Sequence, residues 1–315
     1  MLDDRRRLKR LQDAPRDDLA MGLRMHRFCR ALQHRICRAI ERLDGEAAFR
    51  EDDWRREGGG GGATRVMENG RVFEKAGVNV SAVHGRLPSR MENLLGVAPG
   101  PFFATGISLV VHPRSPMVPT VHANFRYFAL GDDLMRPSDQ WWGGGADLTP
   151  YYPALEDVRH FHGVWQQVCA RHDVADYPRF KKACDEYFHL PHRGEARGVG
   201  GIFYDYLRED PEACFYFARD AGRNVLEAYL PIVRRQMEQF YGDREVAFQE
   251  IRRGRYAEFN LLYDRGTRFG IETAGRTESI LMSLPPRVQW QYDWRPEPGS
   301  READAMAFFQ PQDWL

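Results

Sequence analysis

The sequence predicts an α+β fold, with a single large antiparallel β-sheet flanked by α-helices. Strand-like segments cluster toward both ends of the chain, helical segments occupy the middle, and the two types do not alternate as they do in a parallel α/β protein. With 315 residues, of which 43% are hydrophobic and 12% aromatic, the chain can bury a sizeable core. We find no internal repeat and no linker, so one catalytic domain is expected over residues 21–315, after a charged and mobile tail at residues 1–20.

The first predicted elements are a helix and a hairpin. Apolar residues recur at helical spacing from Leu19 to Leu43, and Gly45 follows as a stop signal. Asn69-Gly70 is a strong two-residue turn signal between two short strand-like segments, so a β-hairpin is expected there.

The remaining elements follow from apolar periodicity and turn residues. Strands are predicted at residues 78–83, 103–111, 120–128 and 201–207. Helices are predicted at residues 155–171, 179–189 and 212–240. The C-terminal part is expected to return to strands, at residues 256–263, 268–273 and 288–294.

The charge balance and the cysteines limit the class of protein. Lys plus Arg and Asp plus Glu both number 45, and zero net charge argues against a nucleic-acid partner held by global charge. Five cysteines without CxxC spacing are typical of reduced thiols, which predicts a cytoplasmic location. No segment has the length and hydrophobicity of a membrane span, and the first residues do not resemble a signal peptide.

The predicted strand at residues 120–128 carries the most informative pattern. His122, Asn124 and Arg126 fall at every second position, so their side chains leave the same face of the strand. An imidazole, an amide and a guanidinium on one face can bind an anion and move a proton beside it.

The preceding strand adds polar residues to the same face. Ser108 and His112 share one side of it, and its short Pro-rich connection to the next strand suits antiparallel neighbours. If the two polar faces align, five polar side chains converge. The alternative is an ordinary antiparallel sheet with one solvated face.

A glycine-rich segment at residues 141–150 is the second candidate. Its three consecutive glycines would let the backbone approach a ligand closely, and Asp147 follows them before a Thr-Pro turn. This carboxylate could accept a hydrogen bond or a proton from a ligand N–H group. Alternatively, Asp147 is a turn or capping residue before the helix at residue 155. Neither GxGxxG nor a phosphate-binding loop motif is present.

Two further candidates depend on spacing alone. A metal site of His112, His122, His162 and His192 is conceivable, although no compact metal motif such as HExxH occurs. Arg276 follows a small-residue turn, where it could bind a carboxylate through two hydrogen bonds. The alternative for Arg276 is a surface ion pair.

The chain resembles the oxygen-dependent coproporphyrinogen III oxidase family over nearly its whole length beyond residue 20. The motifs that carry the resemblance are WRREGGG (54–60), AGVNVS (76–81), SLVVHP (108–113), VPTVHANFR (118–126), GGADLTP (144–150), KKACDEYF (181–188), GRYAEFN (254–260) and GRTESIL (275–281). Motifs this long and in this order are far more specific than short patterns.

The resemblance implies an activity. Members of this family are homodimers that convert two propionates of a reduced tetrapyrrole to vinyl groups, using O2 and releasing CO2 and hydrogen peroxide. The product is protoporphyrinogen IX, a haem precursor, and no organic cofactor is needed. The segment from about Tyr256 to Gln291 matches the family's dimerisation region.

The resemblance also implies roles for single residues. His122 matches the proton donor, and Asp147 matches a carboxylate beneath the pyrrole nitrogens. Bacterial members are described as binding a divalent metal through the histidines that match the four named above. The positions that match substrate contacts are Ser108, Asn124, Phe125, Arg126, Ala274, Gly275 and Arg276.

We therefore expect a catalytic site of His122, Asp147 and Arg126. In this hypothesis Asp147 polarises or accepts the pyrrole N–H proton, Arg126 orients the reacting propionate, and His122 shuttles a proton. Two departures from the family pattern affect loop geometry: no aromatic residue stands between Trp142 and the glycines, and the turn before Arg276 is Ala-Gly rather than Gly-Gly.

Three alternatives are less favoured. A metal-dependent oxygenase or hydrolase would use the four histidines directly. A non-catalytic protein that binds tetrapyrroles or other polyanions would not need Asp147 or His122. An RNA-binding sheet is the third, but the sequence lacks its Lys/Arg-Gly-Phe pattern.

Overall fold

A computed structural model of the chain describes residues 20–87, 100–133, 135–272 and 275–315. The tail predicted for residues 1–20 lies outside these ranges except for Ala20. Structural statements below concern the described residues.

The first helix forms as the sequence predicts. Helix α1 (Met21–Asp44) ends at Gly45, whose φ of 81° is left-handed and whose N–H bonds Glu41 O. The Asp44 carboxylate accepts hydrogen bonds from the backbone N–H groups of residues 47 and 71–73. These bonds fix the end of α1 to the turn of the predicted hairpin.

Seven strands form one antiparallel sheet, which confirms the predicted fold class. The strands of the sheet are β1 (Arg50–Arg55), β2 (Gly60–Glu68), β3 (Phe73–Arg86), β4 (Pro101–Pro113), β5 (Thr120–Leu130), β6 (Asp139–Thr149) and β9 (Gly200–Leu207). They lie in the order β1-β2-β3-β4-β5-β6-β9, and every neighbouring pair is antiparallel. Two short strands, β7 (His189–Leu190) and β8 (Glu195–Ala196), pair separately.

Within the described ranges the chain forms eight α-helices. Those after α1 are α2 (Leu155–Cys169), α3 (Tyr177–Tyr187), α4 (Pro211–Gln236), α5 (Asp243–Leu262), α6 (Arg265–Glu272), α7 (Thr277–Leu281) and α8 (Arg301–Met306). None of these described helices has both the length and the apolar character needed to cross a membrane.

Helices α1, α2 and α4 cover one face of the sheet. Helix α1 packs on β3 and β4, and α4 packs on β5 and β6 as well as against α2. Val121, Ala123, Phe125 and Tyr127 of β5 point into this core and are almost fully buried. The alternating apolar residues of the predicted strand therefore account for the helix-covered face, and His122, Asn124 and Arg126 face the other side.

Three predictions for the C-terminal part are wrong. Residues 256–262 belong to helix α5 rather than to a strand, and residues 268–272 belong to helix α6. Residues 288–294 are irregular. The physical reason for α5 is that it is buried along all of residues 251–260, so its sequence lacks the apolar stripe that marks a surface helix.

The glycine-rich segment is also corrected. Residues 139–149 form strand β6 inside the sheet rather than a loop. β6 pairs with β5 in a register that sets Asp147 opposite His122 and Gly143 opposite Arg126. The sheet therefore brings the carboxylate to the histidine without any loop movement.

Candidate active site

A cavity of about 360 Å³ lies over the opposite face of the sheet, the one that carries His122, Asn124 and Arg126. Its floor is formed by side chains of β3, β4, β5, β6 and β9, and its roof by α6, by the end of α5 and by residues 279–283. This volume is typical of a small-molecule pocket, and its lining combines aromatic rings with a few polar groups.

The floor contains a buried carboxylate between an imidazole and a guanidinium. His122 Nδ1 donates to Asp147 Oδ1 at 2.8 Å, and Arg197 Nη2 donates to Asp147 Oδ2 at 2.7 Å. The side chains of Asp147 and Arg197 are each only 2% exposed. His122 and Arg197 line the cavity, and Asp147 lies directly behind them.

The charge of Asp147 is stabilised by these two partners. Burial would raise the pKa of Asp147, but the Arg197 charge and the hydrogen bond from His122 outweigh it, so the pKa lies below its ordinary value. Burial would likewise lower the pKa of Arg197, but the charge of Asp147 raises it. Both groups are therefore ionised at neutral pH, and the anion fixes the proton of His122 on Nδ1.

Arg197 is held from the other side by aromatic rings and an amide. Its guanidinium lies 4.2 Å from the ring centroids of both Phe188 and Tyr256. Its Nη1 donates to Asn260 Oδ1 at 2.7 Å, and Asn260 Nδ2 donates to Ser283 Oγ at 3.2 Å. These contacts connect the floor of the cavity to helix α5 in its roof.

Arg126 is the more accessible cation of the floor, with 38% of its side chain exposed. Its Nη1 donates to Asn124 Oδ1 at 2.6 Å, and its Nη2 lies 2.9 Å from Asp205 Oδ2. Gly143 lies beneath it, and a Cβ there would come within 2.7 Å of the guanidinium. The glycine therefore provides the space in which Arg126 lies across the sheet.

The other residues predicted on β4 and β5 divide between the two faces. Ser108 pairs with Asn124 across the strands, and both line the cavity. Phe125 is fully buried in the helix-covered core, so only its backbone is near the floor. The convergence of Ser108, His122, Asn124 and Arg126 is confirmed, whereas His112 lies outside the cavity lining.

The described part of the predicted turn, Gly275 and Arg276, lies outside the cavity lining. Arg276 forms an ion pair with Asp52 of β1, and it is not among the residues that line the cavity. Gly275 donates its N–H to Gly270 O at 2.7 Å. Ala274 lies outside the described residues. A substrate contact by this turn stays a prediction.

The four histidines are not brought together as a metal site. Both ring nitrogens of His112 are engaged, by Thr120 Oγ1 and Ser283 O. The same holds for His162, by Tyr177 and Val199 O, and for His192, by Glu258 and Tyr263. In the part of the chain that the structure describes, no group of three or more His, Cys, Asp or Glu side chains is arranged to hold a metal ion. The arrangement therefore does not fit one metal held by these imidazoles.

Sequence reasoning missed Arg197, Asp205 and Asn260. Arg197 directly follows the short strand β8 and precedes Gly198, in a segment with no periodic pattern of apolar residues. Asp205 belongs to a strand that was predicted, but its partner Arg126 is two strands away in the sheet. Asn260 was noted, but on a predicted strand. Only tertiary pairing identifies these three residues.

Comparisons with known proteins identify the family of this chain. A family model described as coproporphyrinogen III oxidase matches residues 24–314. The oxygen-dependent coproporphyrinogen-III oxidase of Coxiella burnetii (strain RSA 331 / Henzerling II) is 54% identical over 280 residues, which cover 88% of this chain and 90% of the relative. A Glycine max protein named oxygen-dependent coproporphyrinogen-III oxidase, chloroplastic, is 47% identical over 315 residues, covering 96% of this chain and 82% of that protein. The chain therefore belongs to the coproporphyrinogen III oxidase family, as its motifs predict.

Proposed function

We propose that the chain catalyses the oxygen-dependent conversion of coproporphyrinogen III to protoporphyrinogen IX in haem biosynthesis, and that the cavity over the sheet is its active site. For each of two propionates, –CH2–CH2–COO⁻, one O2 and one proton yield –CH=CH2, CO2 and H2O2. The substrate loses two electrons, which reduce O2 to peroxide. The observation that carries the proposal is that, in a chain of this family, His122 and Arg126 face one cavity together.

Arg126 supports binding of a substrate carboxylate. Its guanidinium is partly exposed, and its planar donors match a carboxylate in geometry and charge. Ser108 and Asn124 place further polar groups on the same floor. We assign Arg126 to the orientation of a propionate and the two neighbours to its hydrogen bonding.

His122 is the proton carrier in this proposal. Because Nδ1 donates to Asp147, Nε2 is the nitrogen left for the cavity side, and Asn124 Nδ2 is 3.5 Å from it. Asp147 has both oxygens occupied and is nearly inaccessible, so it does not reach a pyrrole N–H directly in this arrangement. We therefore assign Asp147 to fixing the tautomer of His122 and stabilising its charge when it gains a proton.

The remaining task is to position an electron-rich substrate and exclude water. A reduced pyrrole can itself supply electrons to O2, so an organic cofactor is not part of the proposal. Trp141, Phe203 and Tyr206 form apolar walls around the polar floor. Such walls strengthen electrostatic interactions and protect reactive intermediates from water. No step is assigned to a metal, because the four histidines do not fit a shared site.

We also propose a homodimer that uses the segment from about Tyr256 to Gln291. Four large apolar side chains in or beside the roof helices are half exposed or more: Leu261, Leu262, Ile271 and Trp290. Exposed apolar side chains concentrated in one segment are typical of an association surface. Light scattering coupled to size exclusion should give twice the chain mass, and Leu262→Glu should shift it toward the monomer.

A cytoplasmic location remains part of the proposal. All five cysteines are buried free thiols, which suits a reducing compartment. Fractionation of the source cells with an antibody to the chain tests it.

The proposed activity is tested by O2 uptake with coproporphyrinogen III. Equal amounts of O2 consumed, CO2 released and vinyl groups formed are expected, and no product without O2. Metal content and activity after exhaustive chelation are measured on the same sample, which separates this reaction from an obligatory metal mechanism. Substrate binding without O2 uptake, CO2 or vinyl product would instead indicate a non-catalytic tetrapyrrole-binding protein.

A further inference from the structure

The pairing of β6 with β9 contains an irregularity beside the cavity. Gly144 pairs with Tyr204, but Trp142 pairs with Leu207. One residue of β6, Gly143, therefore faces two residues of β9, Asp205 and Tyr206. This is the arrangement of a β-bulge, which commonly re-aims a side chain next to an active site.

The bulge changes which side chains of β9 face the cavity. In a regular strand Phe203 and Asp205 would point to one face, and Tyr204 and Tyr206 to the other. Tyr204 and Leu207 are indeed part of the helix-covered core. Tyr206 instead lines the cavity, together with Phe203 and Asp205. The extra residue thus places a tyrosine on the cavity side that strict alternation would have buried.

The backbone of Tyr206 is strained to achieve this. Its φ is 53°, in the left-handed region that tyrosine rarely adopts. Its N–H donates to Asp205 Oδ1 at 3.1 Å, and a Cβ on Gly143 would come within 2.6 Å of that oxygen. Strain of this kind is kept where the surrounding structure imposes it, commonly at ligand-binding sites.

The Tyr206 ring belongs to an aromatic row at the side of the cavity. Phe128 and Trp141 stack with ring centroids 4.4 Å apart, and Trp141 and Tyr206 stack at 5.5 Å. The Arg208 guanidinium lies near two of the three rings, 4.8 Å from the centroid of Trp141 and 5.1 Å from that of Tyr206. Trp141, Phe128 and Tyr206 all line the cavity, so the row presents aromatic surface to whatever fills it.

We propose that Tyr206 is a substrate-contacting residue, and that the bulge opposite Gly143 holds its ring against a planar, electron-rich ring of the bound substrate. The inference rests on the proposed function, because that function makes this ring a pyrrole of the porphyrinogen. Arg126 and Asp205 lie beside it, so one bulge sets both the aromatic contact and the ion pair that positions the carboxylate-binding guanidinium.

Three substitutions of Tyr206 separate the contribution of its aromatic ring from that of its strained backbone. Tyr206→Phe keeps the ring, Tyr206→Ala removes it and keeps the unfavourable φ, and Tyr206→Gly removes it and relieves that φ. Binding of coproporphyrinogen III is titrated anaerobically by intrinsic fluorescence, and KM and kcat are measured in air. Tyr216→Ala, at an exposed position of helix α4 and outside the cavity lining, is the matched control.

The ring contact predicts a common loss in the two ringless variants. Tyr206→Ala and Tyr206→Gly should both weaken binding and raise KM by about three- to ten-fold, although the glycine variant melts at a higher temperature than the alanine variant. Tyr206→Phe and Tyr216→Ala should bind as wild type does. Wild-type affinity in Tyr206→Gly, or a loss that follows melting temperature alone, overturns the inference. Failure of wild-type O2 uptake would instead overturn the proposed function.

Discussion

Two carboxylates in this protein each bind a histidine and an arginine, yet they lie in different surroundings. Asp147, on β6, accepts from His122 and Arg197 on the floor of the cavity. Glu258, on α5, accepts from His192, from both ends of the Arg193 fork, from Arg255 and from Trp290. Neither Glu258 nor its partners line the cavity.

The difference lies in what the histidine can still do. His122 donates a hydrogen bond from Nδ1 to Asp147 and has Nε2 on the cavity side, 3.5 Å from Asn124 Nδ2. His192 instead bonds Glu258 through Nε2 and Tyr263 through Nδ1. Asp147 therefore supports a group that can exchange a proton with a ligand, while Glu258 ties a loop to a helix. In the proposed function, the same three residue types serve chemistry around Asp147 and stability around Glu258.

The largest expected effect is the loss of turnover in Asp147→Asn. The amide keeps the shape of the carboxylate but removes the charge between His122 and Arg197, and it no longer fixes the His122 tautomer. We expect kcat to fall by about 10²- to 10⁴-fold, which is the usual contribution of positioned acid–base groups. The measurement is O2 uptake at saturating substrate on protein whose fold is checked by circular dichroism.

Asp139→Asn is the control for this substitution. Asp139 pairs with Arg208 at 3.0 Å where both side chains are more than a third exposed, so little change is expected. Near-normal turnover in Asp147→Asn would show that Asp147 does not support His122, and the contrast with Glu258 would disappear.

The floor of the site was predictable because strand alternation is a local signal. The period of two at residues 121–127 assigned three polar side chains to one face and four apolar ones to the other, and the structure agrees. The glycines of β6 carry no side-chain period, so their strand was missed, although Asp147 was found by its residue type. Arg197 reaches Asp147 from a loop 50 residues away, and no sequence spacing encodes that contact.

The roof was not predictable for a different physical reason. Helix α5 buries residues 251–260 on all sides, including Arg252 and Arg253, whose charges are paired with Glu195 and Glu74. Polar residues at core positions remove the helical period, and Tyr256, Glu258 and Asn260 then mimic a strand. The ion pairs that let this helix bury its arginines join residues far apart in the chain, and the sequence alone does not reveal them.

The next largest effect is on stability, in Glu258→Gln. The substitution leaves the cations of Arg193 and Arg255 without their shared anion, and breaking a partly buried network of this kind costs about 3 kcal/mol in the free energy of unfolding. Urea unfolding followed by fluorescence measures it. Because Glu258 does not line the cavity, kcat should stay near that of the wild type, the reverse of Asp147→Asn. A large loss of kcat in folded protein would mean that Glu258 and its partners take part in catalysis.

A third carboxylate, Glu302 of α8, is stabilised in its charged form by an arginine and a tyrosine, without a histidine. It accepts from Tyr152 at 2.6 Å and from Arg244, and although burial would raise its pKa, these bonds lower it to about 2. Because this pKa is lower in the folded protein than its value of 4.5 in the unfolded chain, the ionised Glu302 stabilises the fold at pH values above 4.5. This contribution disappears as the pH falls toward 2. Glu302→Gln should therefore cost about 2 kcal/mol at pH 7 and progressively less below pH 4.5. A difference in unfolding free energy that is independent of pH would contradict the assignment.

The smallest expected effect comes from Tyr263→Phe, which leaves His192, like His122, with one ring nitrogen bonded to a carboxylate. The substitution removes the hydroxyl that donates to His192 Nδ1 at 2.9 Å, and it leaves Glu258 and its cations in place. One hydrogen bond near the surface is worth about 1 kcal/mol or less, so the urea midpoint should move only slightly. Turnover should not change, because a free ring nitrogen matters only where a ligand can reach it, and His192 lies outside the cavity lining. A change in the pH profile of kcat in this variant would show that His192 exchanges protons with the site, and the two carboxylates would then have to be treated as one system.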